Sequence, residues 1–427
     1  MHAANATAPA PAGETPWVAP RADGRRVALL LPSLVAGGAE VCTLRTADGL
    51  LRKGFRVDLV LCERTGQLVE RVPPDVRVIE LGAAPMLLAR AQALAADPAG
   101  FRAMLAPILL AWRPPQRLPH LPKLIHYLRT VRPDALFSAI TGANLIALWA
   151  RRLAGVETRI LISERNTVTA KVESSRQWRN RHLPRLLGHS YRMADGIVAV
   201  SNGVADDLAA RTGIPRGRIT TVYNPVVTPE LSALANQPVA HPWCQPGAPP
   251  VVLGVGSLTP RKDFPTLIRA FARVRAARDC RLVILGEAAS PSKTAEQQTE
   301  LKALARSLGV ADDVDLPGYV ANPFAYMARA AVFVLSSVHE GLPGVLIQAL
   351  ACGCSAVSTD CPYGPAEILD EGRFGPLVAI GDDAAMAAAI LATFDRPIAA
   401  ERLREHADMF SVEHAVDRYI DLMFDQG

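Results

Sequence analysis

Short apolar runs of three to six residues recur along this chain, each followed by a longer stretch whose apolar residues keep helical spacing. A run of that length crosses a buried sheet but is too short for a helix. Its alternation with helix-period segments predicts parallel strands joined by crossover helices. Seven runs come first, at 27–31, 57–61, 76–81, 135–138, 159–162, 196–200 and 219–222. The stretch 228–250 then breaks the rhythm with prolines, alanines and polar side chains, and reads as a linker. The rhythm restarts at 251–255, 281–285, 314–316, 332–335 and 355–358. A chain of 427 residues has room for two sizeable domains. The expectation is therefore two consecutive doubly wound α/β domains, 26–227 and 251–410, with ligands at the carboxyl ends of strands in the cleft between them. One segment departs from the pattern. At 85–132, apolar helical pieces are broken by Pro98, Pro107, Pro114, Pro115, Pro119 and Pro122 with arginines interleaved, and it reads as an insertion against one sheet edge.

Composition narrows the partners. No apolar run approaches the ~20 residues of a membrane span. Residues 1–25 are rich in Ala and Pro without an apolar centre, which fits neither a signal peptide nor a packed element. Aromatic residues make up 5%, too few for stacking platforms on single-stranded nucleic acid, and 46 Lys and Arg against 41 Asp and Glu do not demand a duplex. No nucleic-acid partner is expected. The seven cysteines (Cys42, Cys62, Cys244, Cys280, Cys352, Cys354 and Cys361) lack a disulfide framework and read as reduced core residues of a cytoplasmic protein. Cys352-Gly353-Cys354 with Cys361 could suggest a metal, but no His supports it, so no metal is expected.

Phosphate-binding signals gather after the linker. Gly254-Val255-Gly256-Ser257 closes a strand and Leu258-Thr259-Pro260-Arg261-Lys262-Asp263 leads to a helix. Glycines at a strand end let backbone approach a ligand, and Arg261 and Lys262 can neutralise a diphosphate. The spacing matches neither a Walker loop nor the full dinucleotide fingerprint, and a solvated helix start is the plain alternative. A stronger signal follows strand 332–335, in Ser336-Ser337-Val338-His339-Glu340-Gly341-Leu342-Pro343-Gly344-Val345-Leu346-Ile347-Gln348. Glu340 sits on the loop, Pro343 is read as the first helical position, and the amides there form an anion site. Gln348 falls on the same side of the helix. Carboxylate, amides and a side-chain amide together suit a sugar nucleotide. The plain alternative is that Glu340 complements the helix dipole.

These residues carry a family resemblance. Phe264-Pro265-Thr266-Leu267-Ile268-Arg269-Ala270-Phe271, Leu282-Val283-Ile284-Leu285-Gly286, Pro317-Gly318-Tyr319-Val320 and the run from His339 to Gly353 resemble the C-terminal domain of retaining glycosyltransferases of the GT-B fold, the group of sucrose-synthase-like and surface-polysaccharide transferases. The resemblance implies two Rossmann-like domains facing across a cleft, a nucleotide-sugar donor (UDP-linked in preference to GDP-linked) and no required metal or other cofactor. The closing segment 411–427 is expected to return as a helix to the first domain. By the same resemblance, Glu340 and Lys262 are the expected catalytic residues. Gly256, Arg261, Gly286, Tyr319, Val320, Gly341, Leu342, Pro343, Gly344 and Gln348 join them on the donor. Two positions depart from the pattern: Gln348 stands where the motif has a second Glu, and Ser257 where it has an Arg.

On the acceptor side, Gly37-Gly38 follows the first strand and resembles the family's Gly-rich loop; a tight turn alone is the other reading. Glu164, Arg165 and Asn166 follow the fifth strand, with Arg165 where many relatives carry His, and Asn202 and Asn224 follow later strands. From 171 to 192, Lys171, Arg176, Arg179, Arg181, Arg185 and Arg192 interleave with Trp178, Leu183, Leu186, Leu187 and Tyr191. A basic amphipathic stretch reads either as a solvated helix or as a peripheral contact with the inner membrane face, which would suit a lipid-linked or cell-surface glycan acceptor. The rival readings are a nucleotide-sugar-binding protein without activity and a GT-B epimerase.

Overall fold

The computed structural model describes residues 24–35, 37–111, 117–173 and 178–424, the side chains of Trp178 and Arg179 excepted. The tail expected at 1–25 therefore falls almost wholly outside the described residues, as does Arg176.

Two all-parallel sheets organise the chain. The first has the order β3 (Arg77–Glu80), β2 (Arg56–Leu61), β1 (Arg26–Leu31), β4 (Ala135–Ala139), β5 (Arg159–Glu164), β6 (Gly196–Ala199), β7 (Ile219–Thr221). The second runs β10 (Val314–Gly318), β9 (Arg281–Leu285), β8 (Val251–Val255), β11 (Val332–Leu335), β12 (Ala356–Thr359), β13 (Leu377–Val378). Helices cover both faces, which is why the central strands are largely apolar. In β1, Ala28 and Leu30 join one core cluster while Val27, Leu29 and Leu31 join the opposite one. Strand order reverses between β1 and β4 and between β8 and β11, and the cleft opens at these switch points.

Three segments differ from the sequence reading. The helix Leu121–Val131 is the crossover into β4. Its Leu121, Leu124 and Leu128 are buried on the sheet face with Leu30 and Val60, so segment 85–132 covers a face and does not lean on an edge. The Tyr127 hydroxyl fastens it by donating to Asp58 at 2.8 Å. The proline-rich stretch 228–250 contains the helix Leu231–Ala235, whose last turn accepts hydrogen bonds from Asn322 and Arg329 of the second domain. Strand β13, only two residues long, has too little apolar sequence to announce itself.

The chain passes between the sheets twice at neighbouring points. The amides of Val226 and Val227 donate to the Phe410 carbonyl at 2.9 and 3.0 Å, and the Val412 amide donates to Val227 at 3.0 Å. The helix Val412–Phe424 then lies on the first sheet, with Val416, Tyr419 and Met423 in its core and the Tyr419 ring 4.9 Å from Phe137. Among the described residues, no helix is long and apolar enough to cross a membrane.

Candidate active site

A cavity of about 740 Å³ lies between the carboxyl edges of the two sheets, and segments following β1, β2, β5, β7, β8, β10 and β11 line it. Its size suits a small-molecule site.

The wall from the second sheet is built around one buried ion pair. After β8, the Asp263 backbone takes a left-handed turn (φ 44°), and its carboxylate caps the helix Phe264–Ala277. That turn directs Lys262 inward, 8% exposed. The Lys262 Nζ lies 2.6 Å from Glu340 Oε1, Ser337 Oγ donates to the same oxygen at 2.8 Å, and Arg261 Nη1 stands 3.5 Å from Oε2. The two loops are tied by backbone. Val338 donates to the Arg261 carbonyl at 2.9 Å, and Ser336 Oγ to the Lys262 carbonyl at 2.7 Å. Pro343 is the residue before the helix Gly344–Ala351, one position earlier than expected from sequence, so its missing N–H leaves no donor unmet. Gln348 lies one turn in, on the cavity side.

The opposite wall comes from the first sheet. The helix Gly38–Arg52 presents Gly38, Ala39, Val41, Cys42 and Arg45 to the cavity, positions that share a face at helical spacing. Arg45 Nη1 donates to the carbonyls of Pro225 and Val226 at 3.1 and 2.9 Å, and Arg165 Nη1 donates to Asn224 Oδ1. Where the walls touch, a Cβ on Gly341 would stand 2.6 Å from the Arg165 carbonyl oxygen, so that approach requires glycine. Ser201 Oγ donates to the Gly341 carbonyl at 3.0 Å.

Of the residues singled out from sequence, Gly37, Gly38, Arg165, Asn166, Asn224, Gly256, Arg261, Lys262, Tyr319, Glu340, Gly341, Leu342, Pro343, Gly344 and Gln348 all line this cavity. Four do not. Gly286 (φ 143°) is wedged behind the site, where a Cβ would meet the Gly256 oxygen at 1.9 Å, so its glycine serves backbone packing. Val320 is half-buried and packs against the apolar core. Glu164 is 1% exposed, and its carboxylate accepts from Lys171, the Tyr191 hydroxyl and Thr141, a network that pins the next helix. Asn202 gives its amide and side chain to Glu367 at 2.9 and 2.7 Å; with the Tyr223 hydroxyl at 2.8 Å, this makes Glu367 an interdomain clamp. Sequence reasoning missed Cys42, Arg45, Gln67, Leu68, Arg71 and Val226. The spacing of Gly38, Cys42 and Arg45 on one helix was the available signal.

The basic stretch changes character in three dimensions. Leu186, Leu187 and Tyr191 are buried in the core, Lys171 is held by Glu164, and Arg192 bonds the Gly188 and Gly213 carbonyls. Arg181 and Arg185 remain exposed cations. All seven cysteines are free, and burial pushes the Cys352, Cys354 and Cys361 thiols up to about 12. Among the described residues, no three His, Cys, Asp or Glu side chains gather as a metal site.

Residues 36–229 match the model for Glycosyltransferase Family 4, and residues 249–396 that for Glycosyl transferases group 1. The chain belongs to these glycosyltransferases. It is 33% identical over 260 residues to the N-acetylgalactosamine-N,N'-diacetylbacillosaminyl-diphospho-undecaprenol 4-alpha-N-acetylgalactosaminyltransferase of Campylobacter jejuni, covering 60% of this chain and 66% of that one. It is also 33% identical over 183 residues to the lipopolysaccharide core biosynthesis glycosyltransferase LpsE of Rhizobium meliloti, covering 42% and 51%. The chain thus spans between half and about two thirds of the length of these curated relatives. Among solved structures, the apo form of the lipopolysaccharide outer core galactosyltransferase WaaB superposes with a TM-score of 0.68 at 17% identity, over 93% of this chain and 99% of that one. Anabaena HepE in complex with UDP and glucose gives 0.68 at 19%, over 93% and 98%. The family's GT-B fold is therefore the fold of this chain.

Proposed function

We infer that this protein is a retaining glycosyltransferase that moves a sugar from a nucleotide diphosphate, UDP above GDP, to a lipid-linked or cell-surface glycan. The observation that carries the reading is the buried Lys262–Glu340 pair at the start of the helix Gly344–Ala351, facing a cavity that both domains line. The UDP in the HepE complex and the acceptors in the names of the Campylobacter and Rhizobium relatives support the choice of donor and acceptor.

In this reading Lys262, Arg261 and the amides at Gly344 and Val345 neutralise the leaving diphosphate, so no metal is called for. Glu340, anchored by Lys262 and Ser337, orients the sugar hydroxyls, and Gln348 offers both a donor and an acceptor to the ribose. The sugar C1–O bond to phosphate breaks, the acceptor oxygen bonds C1 on the same face, and its proton passes to the departing phosphate. The enzyme would work in the cytoplasm at the inner membrane face, with Arg181 and Arg185 meeting anionic headgroups.

Calorimetry with UDP, GDP and ADP on wild type and Lys262→Met tests the donor, and proton NMR of the product's anomeric coupling tests retention. UDP binding that is lost in Lys262→Met is expected. Binding without turnover would favour a non-catalytic member of the family, and no nucleotide binding would overturn the reading.

A further inference from the structure

The segment 83–111 turns an apolar surface outward. From 83 to 101 every exposed side chain is apolar, with Leu87 79% exposed and Leu88 and Phe101 also open. The helix Met86–Ala96 accounts for most of this surface. Ala89, Ala93 and Ala96 pack into the core, so the stripe opposite them at helical spacing is Leu87, Leu88, Ala91 and Ala95. The charged side chain of this helix, Arg90, is turned aside and donates to the Ala111 carbonyl at 2.6 Å. A surface helix ordinarily carries polar side chains on the face away from the core, and one that is apolar all round calls for a second apolar partner.

Cations border this surface and acids do not. Arg102 follows Phe101 directly. The helix Phe101–Met104 packs on the helix Leu183–Ser190, which carries Arg185, and the turn Leu105–Leu109 packs on Trp178–His182, which carries Arg181. Arg102, Arg181 and Arg185 are all exposed, and no Asp or Glu is exposed among the described residues of 83–111 and 180–192. Asp97, the acid within these segments, is 2% exposed. One of its oxygens stands 2.8 Å from His189 Nε2 and the other accepts from the Gly100 amide at 3.0 Å, which fastens the apolar segment to the basic helix. The placement also matters. Strand β3 ends at Glu80, on the edge of the first sheet that faces the cavity, and the helix Met86–Ala96 starts one short loop later. Leu87 and Leu88 thus stand at the cavity end of the stripe, and the helix leads from there about 16 Å toward Phe101 and Arg102.

Resting on the reading of a lipid-linked acceptor, we propose that this face docks on an anionic lipid leaflet. Leu87, Leu88, Ala91, Ala95 and Phe101 enter the boundary between headgroups and acyl chains, and Arg102, Arg181 and Arg185 meet the headgroups. The occupant is a leaflet and not a second copy of the chain, because a two-fold interface would set the same arginines against each other with no exposed acid in these segments to pair them. Each signal alone gives weak, reversible binding, and the two together give a stable hold. Docked by the edge beside its cavity, the enzyme meets acceptors that stay in the membrane.

The test is flotation of the full-length protein, without donor or acceptor, on vesicles of phosphatidylcholine alone or with about 30% phosphatidylglycerol. Wild type is expected to bind the anionic vesicles, and phosphatidylcholine alone roughly ten- to hundredfold more weakly. The double variant Leu87→Ser, Leu88→Ser should bind the anionic vesicles roughly ten- to hundredfold more weakly, the effect of withdrawing two leucines from an apolar layer, with melting temperature and UDP binding unchanged. Leu308→Ser, at a comparably exposed leucine of the second domain, should change nothing. Unchanged vesicle binding in the double variant would overturn the proposal, as would wild type that binds both vesicles equally or neither. A concentration-dependent dimer in sedimentation velocity that the double variant abolishes would assign the face to a second copy and overturn it too. UDP binding is read on the same samples. Its absence would sink the donor reading, whereas UDP binding without vesicle binding would sink this proposal alone.

Discussion

Replacing Glu340 with Gln keeps the shape of the side chain and its contact with Ser337, but strips the counter-ion from Lys262. Both side chains are under 10% exposed and 2.6 Å apart, so solvent screens the loss poorly. Removing one partner of such a pair costs about 3–5 kcal/mol. The retained Ser337 bond and the amide oxygen bring this to roughly 2–3 kcal/mol. For a domain of this size each kcal/mol moves the midpoint by about 2–4 °C, so Glu340→Gln is expected to melt roughly 5–10 °C lower. Lys262→Met should melt lower as well, because Glu340 then keeps only Ser337 and the half-exposed Arg261. The two variants part on adding nucleotide. A diphosphate supplies Lys262 with the negative charge that the neutral amide no longer provides, so UDP should stabilise Glu340→Gln at least as much as wild type. In Lys262→Met the diphosphate meets an unshielded carboxylate, and the UDP shift should vanish. Thermal unfolding with and without UDP reads both. A UDP shift that survives in Lys262→Met and disappears in Glu340→Gln would refute this placement of the diphosphate.

Other outcomes follow from the same geometry. Gly341→Ala inserts a methyl against the Arg165 backbone without touching either core, so circular dichroism should be unchanged while UDP affinity falls about tenfold, the effect of roughly 1–3 kcal/mol of overpacking. Tyr419→Ala removes a fully buried ring from Phe137 and should destabilise the first domain by about 3–5 kcal/mol in urea titration. Burial raises the Cys62, Cys352, Cys354 and Cys361 thiols to about 12, so the folded chain keeps protons that the unfolded chain sheds above roughly pH 8.5. Stability in reducing buffer should therefore be flat with respect to these thiols below that pH and fall as pH rises toward 11; a flat profile there would count against it. Charge reversal at Arg181 and Arg185 should abolish co-sedimentation with anionic vesicles and leave melting unchanged, whereas Lys171→Ala should lower the melting temperature by uncovering Glu164.

Much of the scaffold was legible because a strand covered on both faces favours apolar side chains, and among the described residues every strand but β13 carries a short apolar run, broken in β10 by Asp315 and in β2 by Asp58. The cavity wall from the second sheet was legible for a related reason. Lys262 and Glu340 each sit in the segment between such a run and the next helix, where the fold leaves a loop free for chemistry. What escaped depended on partners distant in sequence. Glu164 looks like a site acid until Lys171 and Tyr191 close around it, and Gly286 looks like a ligand-approach glycine until Gly256 is found in its place. The Leu183–Ser190 helix reads as membrane-seeking because its apolar stripe is visible in sequence, whereas the core that buries Leu186 and Leu187 is not. The wall from the first sheet was half legible: Gly37 and Arg165 stood out beside strand ends, while Arg45 is hidden within a helix.

The return of the helix Val412–Phe424 to the first sheet has a consequence for how the chain is made. One face of that sheet, bearing Leu29 and Phe137, has its seven strands and the helix Gly38–Arg52 in hand once β7 has emerged from the ribosome, yet the rest of its cover arrives only about 200 residues later. At ordinary synthesis rates that is a wait of roughly 10–40 s, with the part of the face that Val416, Tyr419 and Met423 cover left open while the second domain folds beyond it. The usual order, in which the leading domain is finished first, is inverted here. The domain that begins synthesis is the last to close, and a nascent chain stalled anywhere in its second half remains a client for chaperones.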